Sequence, residues 1–109
     1  MPYVIITEPE GVDEQMYDAV SEKLFSSGPP PEELLVHTAG TDEQGQFRVV
    51  DVWSSVEAHD RFREERLLPA IRETAQERGG EPPSGPPRNT VYEAHNVQIA
   101  EGAPSASTS

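Results

Sequence analysis

Proton chemistry near neutral pH falls in this sequence to three histidines, His37, His59 and His95, because histidine is the side-chain type that changes charge there. There is no cysteine, which excludes thiolate nucleophiles, disulfides and thiolate metal sites. No two histidines have HxH or HxxxH spacing, so no metal site is expected. No GxSxG elbow and no Gly-rich phosphate loop is present. The chemistry to look for is acid–base work by imidazole, with carboxylates, arginines and aromatic rings as its helpers.

His37 lies between Val36 and Thr38 in LLVHTA, a stretch that reads as a strand. Asp51 lies between Val50 and Val52 in QFRVVDVW. Aspartate is disfavoured inside strands, so its place there needs a reason. The two residues meet if the strands pair with an even sum of residue numbers. Leu35 opposite Asp51 would make His37 its diagonal neighbour, whereas His37 opposite Val50 would part them. If they meet, Asp51 can orient His37 as a base; otherwise Asp51 is structural or meets a partner subunit. On a helix, Val56, His59, Phe62, Arg63 and Arg66 share one broad sector. With Val56 and Phe62 toward a sheet, His59 would face the same space as a second candidate base. Arg63 and Arg66 would flank it as cations for an anionic ligand. The alternative is a rim histidine, with arginine stems lying over the core. Trp53 ends its strand as core or as a ligand contact. Tyr92 and His95 share the last apolar stretch and alternate in face, so at most one looks into a helix-side pocket.

The elements that must position these groups follow from where the apolar residues bunch. PYVIIT (2–7) reads as a strand. Asp13 can cap a helix, with Val12 and Tyr17 at the staple positions and Val12, Met16, Val20 and Leu24 recurring every four residues. Gly28 and the prolines after it end that helix. Strands follow at 34–39 and 46–53, joined by the turn GTDEQG. Ser54 and Glu57 form a capping box for a second helix running to about Arg78. Pro69 lies inside that helix and should kink it near Leu68, because it clashes with the carbonyl of Glu65. A last strand spans 90–98.

The order is β-α-β-β-α-β: an α+β, ferredoxin-like unit with a four-stranded antiparallel sheet, over residues 1–99. The first and third strands are apolar on both faces, and two helices can cover only one. Sheet-to-sheet homodimerisation is the simplest closed solution. Residues 100–109 carry little to bury and are expected to be a disordered tail. The 20 acidic against 8 basic residues, a net charge of -12, exclude binding to nucleic acid or anionic lipid through a basic surface. No apolar run reaches the roughly 20 residues of a membrane helix. The first residues lack a secretory pattern, so a cytoplasmic protein is expected.

The stretch VVDVWSSVEAHDRFREERLLPAI (Val49 to Ile71) resembles the third-strand and second-helix signature of the dimeric α/β-barrel superfamily, nearest the antibiotic biosynthesis monooxygenase-like (ABM-like) proteins. The likeness extends over PYVIITEPEG, PPPEELLVHTAG and YEAHNV, about residues 1–98. It implies two ferredoxin-like units paired into a barrel. It is specific for fold and weak for chemistry, since the superfamily hosts several reactions. Haem-degrading members carry Asn, Trp and His at positions that ungapped spacing from Trp53 puts at Thr7, Phe62 and Arg72; none matches. What the resemblance implies instead is a cofactor-free monooxygenase for an aromatic or polyketide-like molecule. The rivals are an isomerase or cyclase using the same base without O₂, and a non-catalytic ligand-binding or structural protein.

Overall fold

Eight regular segments follow one another along the chain: β1 (Tyr3–Glu8), α1 (Glu14–Ser26), β2 (Leu34–Thr41), β3 (Phe47–Trp53), α2 (Val56–Phe62), a π-helical turn (Arg63–Leu67), α3 (Leu68–Glu77) and β4 (Arg88–Glu93). They come from a computed structural model that describes residues 1–26, 28–80 and 87–99. The tail 100–109, Ser27 and residues 81–86 lie outside the described residues. The sheet order is β2-β3-β1-β4 with every neighbour antiparallel, the ferredoxin-like arrangement that the element order predicts. Among the described residues no helix is long and apolar enough to cross a membrane.

Local chemistry sets the element ends. Asp13 caps α1, its Oδ1 accepting the Met16 N–H at 2.8 Å. The second helix is capped one residue later than its sequence pattern predicts. The Ser54 N–H still donates to the Glu33 carbonyl at 2.8 Å, which keeps Ser54 tied to the sheet edge. Ser55 therefore caps, its hydroxyl accepting from the Ala58 N–H. The disruption expected from Pro69 takes the form of a wide turn: the Leu68 N–H reaches back five residues to Arg63. In the β2–β3 hairpin the Asp42 carboxylate accepts the N–H groups of Gln44 and Gln46, which hold it below the usual carboxylate range. Gly45 closes that turn at φ 85, a left-handed value that glycine adopts freely. β4 is shorter than the predicted 90–98; after Glu93 the Ala94 N–H bonds the Pro2 carbonyl. His95 therefore lies outside the strand, and alternation does not govern it.

Two clusters fill the space between sheet and helices. Ile5, Trp53 and Ala58 form one, with Leu34 and Phe62 packed against it. Val20, Leu24 and Ala70 form the other, where α1 meets α3, with Met16, Phe62, Leu67 and Ile71 around it. Phe62 belongs to both and joins them. The opposite sheet face has no helix. Cross-strand register lines up Val36, Val52, Val4 and Tyr92 in one row and Thr38, Val50, Ile6 and Thr90 in the next. Neither row carries a charge. Charges appear only in the third row, where Glu8 pairs with Arg48 at 3.5 Å and Arg88 at 3.9 Å.

Candidate functional site

β3 carries Asp51 on the helix-covered face, and register places His37 of β2 directly opposite it. The pairing sum is even, two residues along from the Leu35–Asp51 example, so the two residues are direct cross-strand neighbours. A bulge between Leu34 and Val36 sets this register and leaves Leu35 exposed. His37 Nδ1 lies 2.6 Å from Asp51 Oδ1. The second carboxylate oxygen, Oδ2, accepts from Trp53 Nε1 at 3.3 Å. On the other side, His37 Nε2 lies 2.5 Å from the hydroxyl of Tyr17, on α1. Four side chains from one helix and two strands thus form a continuous chain: Tyr17, His37, Asp51 and Trp53.

With Asp51 ionised and His37 neutral, the donor inventory fixes the proton positions along it. An indole N–H can only donate, and an ionised carboxylate can only accept. Asp51 therefore accepts a hydrogen bond from Trp53 Nε1–H on one oxygen and from His37 Nδ1–H on the other. In the neutral ring Nε2 is then the acceptor, and the Tyr17 hydroxyl donates into it. Asp51 is buried, with its side chain 12% exposed, whereas the His37 side chain is 34% exposed and lies on an edge strand. The imidazole is thus anchored at Nδ1 from inside, while its ring is partly exposed at the sheet edge. The Tyr17 ring lies edge to edge with His37 and nearly in its plane (centroids 6.0 Å apart, planes 15° apart), joined to it through the hydroxyl, and tilts against Phe47 at 5.4 Å. Burial pushes the Tyr17 phenol above its ordinary 10.0, so it stays an O–H donor in neutral solution.

Solved structures share this architecture along nearly the whole chain. Rv0793 from Mycobacterium tuberculosis matches with a TM-score of 0.56 at 13% identity, over 94% of this chain and all (100%) of that one. A candidate antibiotic biosynthesis monooxygenase from Chloroflexus aurantiacus matches with a TM-score of 0.57 at 17% identity, over 91% of this chain and 98% of that one. SnoaB, a cofactor-independent oxygenase from Streptomyces nogalater, matches with a TM-score of 0.52 at 13% identity, over 88% and 93%. The chain has the fold of the ABM-like proteins. No family model and no curated protein matches the sequence.

Within this ABM-like fold the candidate residues fall into two connected groups and a remainder. His37 and Asp51 belong to the chain just described. His59 packs edge-on against Trp53 at 5.5 Å, with its Nδ1 3.1 Å from Asp60 Oδ1. Phe62 tilts against the same indole at 5.5 Å. Trp53, 1% exposed, therefore joins the two groups and is itself sealed from solvent. Arg66 lies over the Phe62 ring, 5.3 Å from its centroid. Its guanidinium donates to the carbonyls of Leu24, Gly28 and Pro29, so it binds the end of α1 rather than projecting into open space. Arg63 is half-buried on the π-helical turn. Tyr92 stands on the uncovered sheet face opposite Val4, and His95 is exposed beyond β4; neither joins the His37 group. Among the described residues no three His, Asp or Glu side chains converge as a metal would require.

Sequence reasoning passed over Tyr17 and Phe47 as parts of the site. The signal for Tyr17 was present: Tyr17, Val20 and Leu24 stand at i, i+3 and i+7, on the face that the helix buries. A shallow cleft of about 370 Å³ lies beside the group, bounded by Val12, Asp13, Glu14, Thr41 and Phe47.

Proposed function

We propose that this chain is a cofactor-independent monooxygenase of the ABM type, acting on an aromatic or polyketide-like molecule with an acidic position on an electron-rich ring. The observation that carries the reading is the imidazole of His37, with Nδ1 2.6 Å from the buried Asp51 carboxylate and Nε2 turned to the Tyr17 hydroxyl. O₂ accepts an electron readily only from an electron-rich anion, so the protein's task is to make that anion and shield it. On an anthrone the base removes a proton from the ring methylene. The carbanion passes one electron to O₂, and the radical pair combines to a hydroperoxide. Loss of water then leaves a carbonyl, so that methylene and O₂ become carbonyl and water. His37 receives the first proton, and the Asp51 carboxylate stabilises the imidazolium that results. The likeness to SnoaB supports the same reaction class.

The test is oxygen consumption with dithranol, a dihydroxyanthrone, above its uncatalysed rate, with the anthraquinone as product. Isomerised or cyclised product formed without oxygen would favour the rival enzyme class. Saturable binding without any product would leave a binding protein.

The proposal includes a homodimer and a cytoplasmic location. The two uncharged rows on the open sheet face would stand in water in a single chain. A second copy presents the same rows, so a two-fold axis buries both at once. An interface of ordinary size, about 800 Å² per partner, is enough. Sedimentation at micromolar concentration is expected to give twice the chain mass. A monomer throughout that range would remove the dimer from the reading.

A further inference from the structure

We infer that Tyr17 is the residue that meets the substrate's acidic proton, relaying it through its hydroxyl to His37. This rests on the oxygenase reading and names the step by which its base is reached. The lone pair of His37 Nε2 does not face open solvent. In the neutral ring it is occupied by the Tyr17 O–H, because Nδ1–H is committed to the Asp51 carboxylate. A substrate proton can reach Nε2 only by displacing Tyr17 or by passing through its oxygen. Displacement would have to break the hydrogen bond to His37 and the contact with Phe47. Passage through the oxygen moves no ring.

The step is balanced. The substrate's proton goes to the Tyr17 oxygen as the proton of the Tyr17 hydroxyl goes to His37 Nε2. Tyr17 ends neutral, His37 ends as imidazolium beside the Asp51 carboxylate, and the substrate ends as the anion. Tyr17 is then an O–H donor again, in contact with the anion it has just made, and can stabilise the developing charge. The overall charge of -12 fits this role. A surface so acidic repels a substrate that arrives as an anion, so the favoured substrate arrives neutral and is ionised only inside.

Tyr17→Phe keeps the ring and removes the relay. With dithranol it is expected to lower kcat by about 10²-fold, with KM changed much less. A readout independent of turnover uses dihydroxyanthraquinone, whose phenol changes colour on ionising. Bound to the wild-type chain it should ionise at lower pH than when free, and Tyr17→Phe should reduce the bound anion-to-neutral ratio by about tenfold. Nitrogen NMR of the wild-type chain should find His37 protonated on Nδ1 and bare on Nε2; the opposite tautomer overturns the relay, whatever the variant does. If Tyr17→Phe turns over normally while His37→Gln is inactive, the relay fails and the oxygenase reading stands. If the wild-type chain neither consumes oxygen with dithranol nor binds the anthraquinone, both fail together.

Discussion

Replacing His37 with alanine is expected to slow oxygen-dependent turnover by about 10²–10⁴-fold, the range for loss of a positioned general base. The expectation follows from geometry. Nε2 is the ring nitrogen of His37 left to take a proton, by way of the Tyr17 hydroxyl bonded to it, since Nδ1 is committed to Asp51 at 2.6 Å. The substitution also strips Asp51 Oδ1 of its partner in a buried setting and takes the His37 acceptor from the Tyr17 hydroxyl. Some stability will be lost for that reason, about 1–3 kcal/mol for a buried polar group left unmatched. Two measurements separate the chemical loss from the structural one. His37→Gln keeps a side-chain N–H for Asp51 but supplies no base, so it should recover stability without recovering rate. Added imidazole can enter the space vacated in His37→Ala and should restore part of the rate without affecting Tm in proportion. Full activity in either variant would show that His37 is structural, and attention would move to His59 beside Trp53.

How much of this was legible in the sequence depended on the range of the interactions involved. The six elements and their order were readable because apolar residues bunch at strand and helix periods, which is a local property. The face assignments followed from alternation: Val4 and Ile6 on one side of β1, Ile5 on the other. Asp51 was conspicuous for a local reason too, being a carboxylate inside a β-branched run. Its partner was not local. His37 and Asp51 meet only because the hairpin takes an even register, and the bulge at Leu35 that accommodates this leaves no mark in the residue types. Tyr17 was harder still. Its place on the buried stripe of α1 was visible, but that its hydroxyl ends on His37 depends on how α1 lies across the sheet. Arg66 shows the converse difficulty. Its charge suggested a ligand, and three backbone carbonyls at the end of α1, brought close by the fold, take up its donors instead. The cap of α2 turned on one hydrogen bond: Ser54 and Ser55 are chemically alike, and the bond from Ser54 to Glu33 decides between them.

Trp53→Ala should be among the most destabilising single changes in this chain, at about 3–5 kcal/mol. Trp53 is 1% exposed and ends β3 opposite Tyr3 and Leu34, with Ile5 and Ala58 in its cluster and His59 and Phe62 against its ring. Truncation removes most of that contact and leaves a void that the rigid strand end cannot collapse. Domains of this size are stable by only about 5–15 kcal/mol, so the variant should lose a large part of its stability and more than about 10 °C in Tm. Trp53→Phe divides the effect. The phenyl ring keeps much of the packing but has no N–H, so Asp51 Oδ2 loses its donor. A hydrogen bond to a charged group contributes about 1.5–3 kcal/mol, and at 3.3 Å the lower end is expected. Urea unfolding followed by circular dichroism, which needs no tryptophan signal, measures both variants. A double-mutant cycle with Asp51→Asn isolates the contact, and coupling of about 0.5 kcal/mol or more is expected for groups that share a hydrogen bond. Zero coupling would mean that the indole supports the strand end by packing alone. Asp51 would then be held only by His37, and the single tautomer argued for that imidazole would lose one of its two constraints.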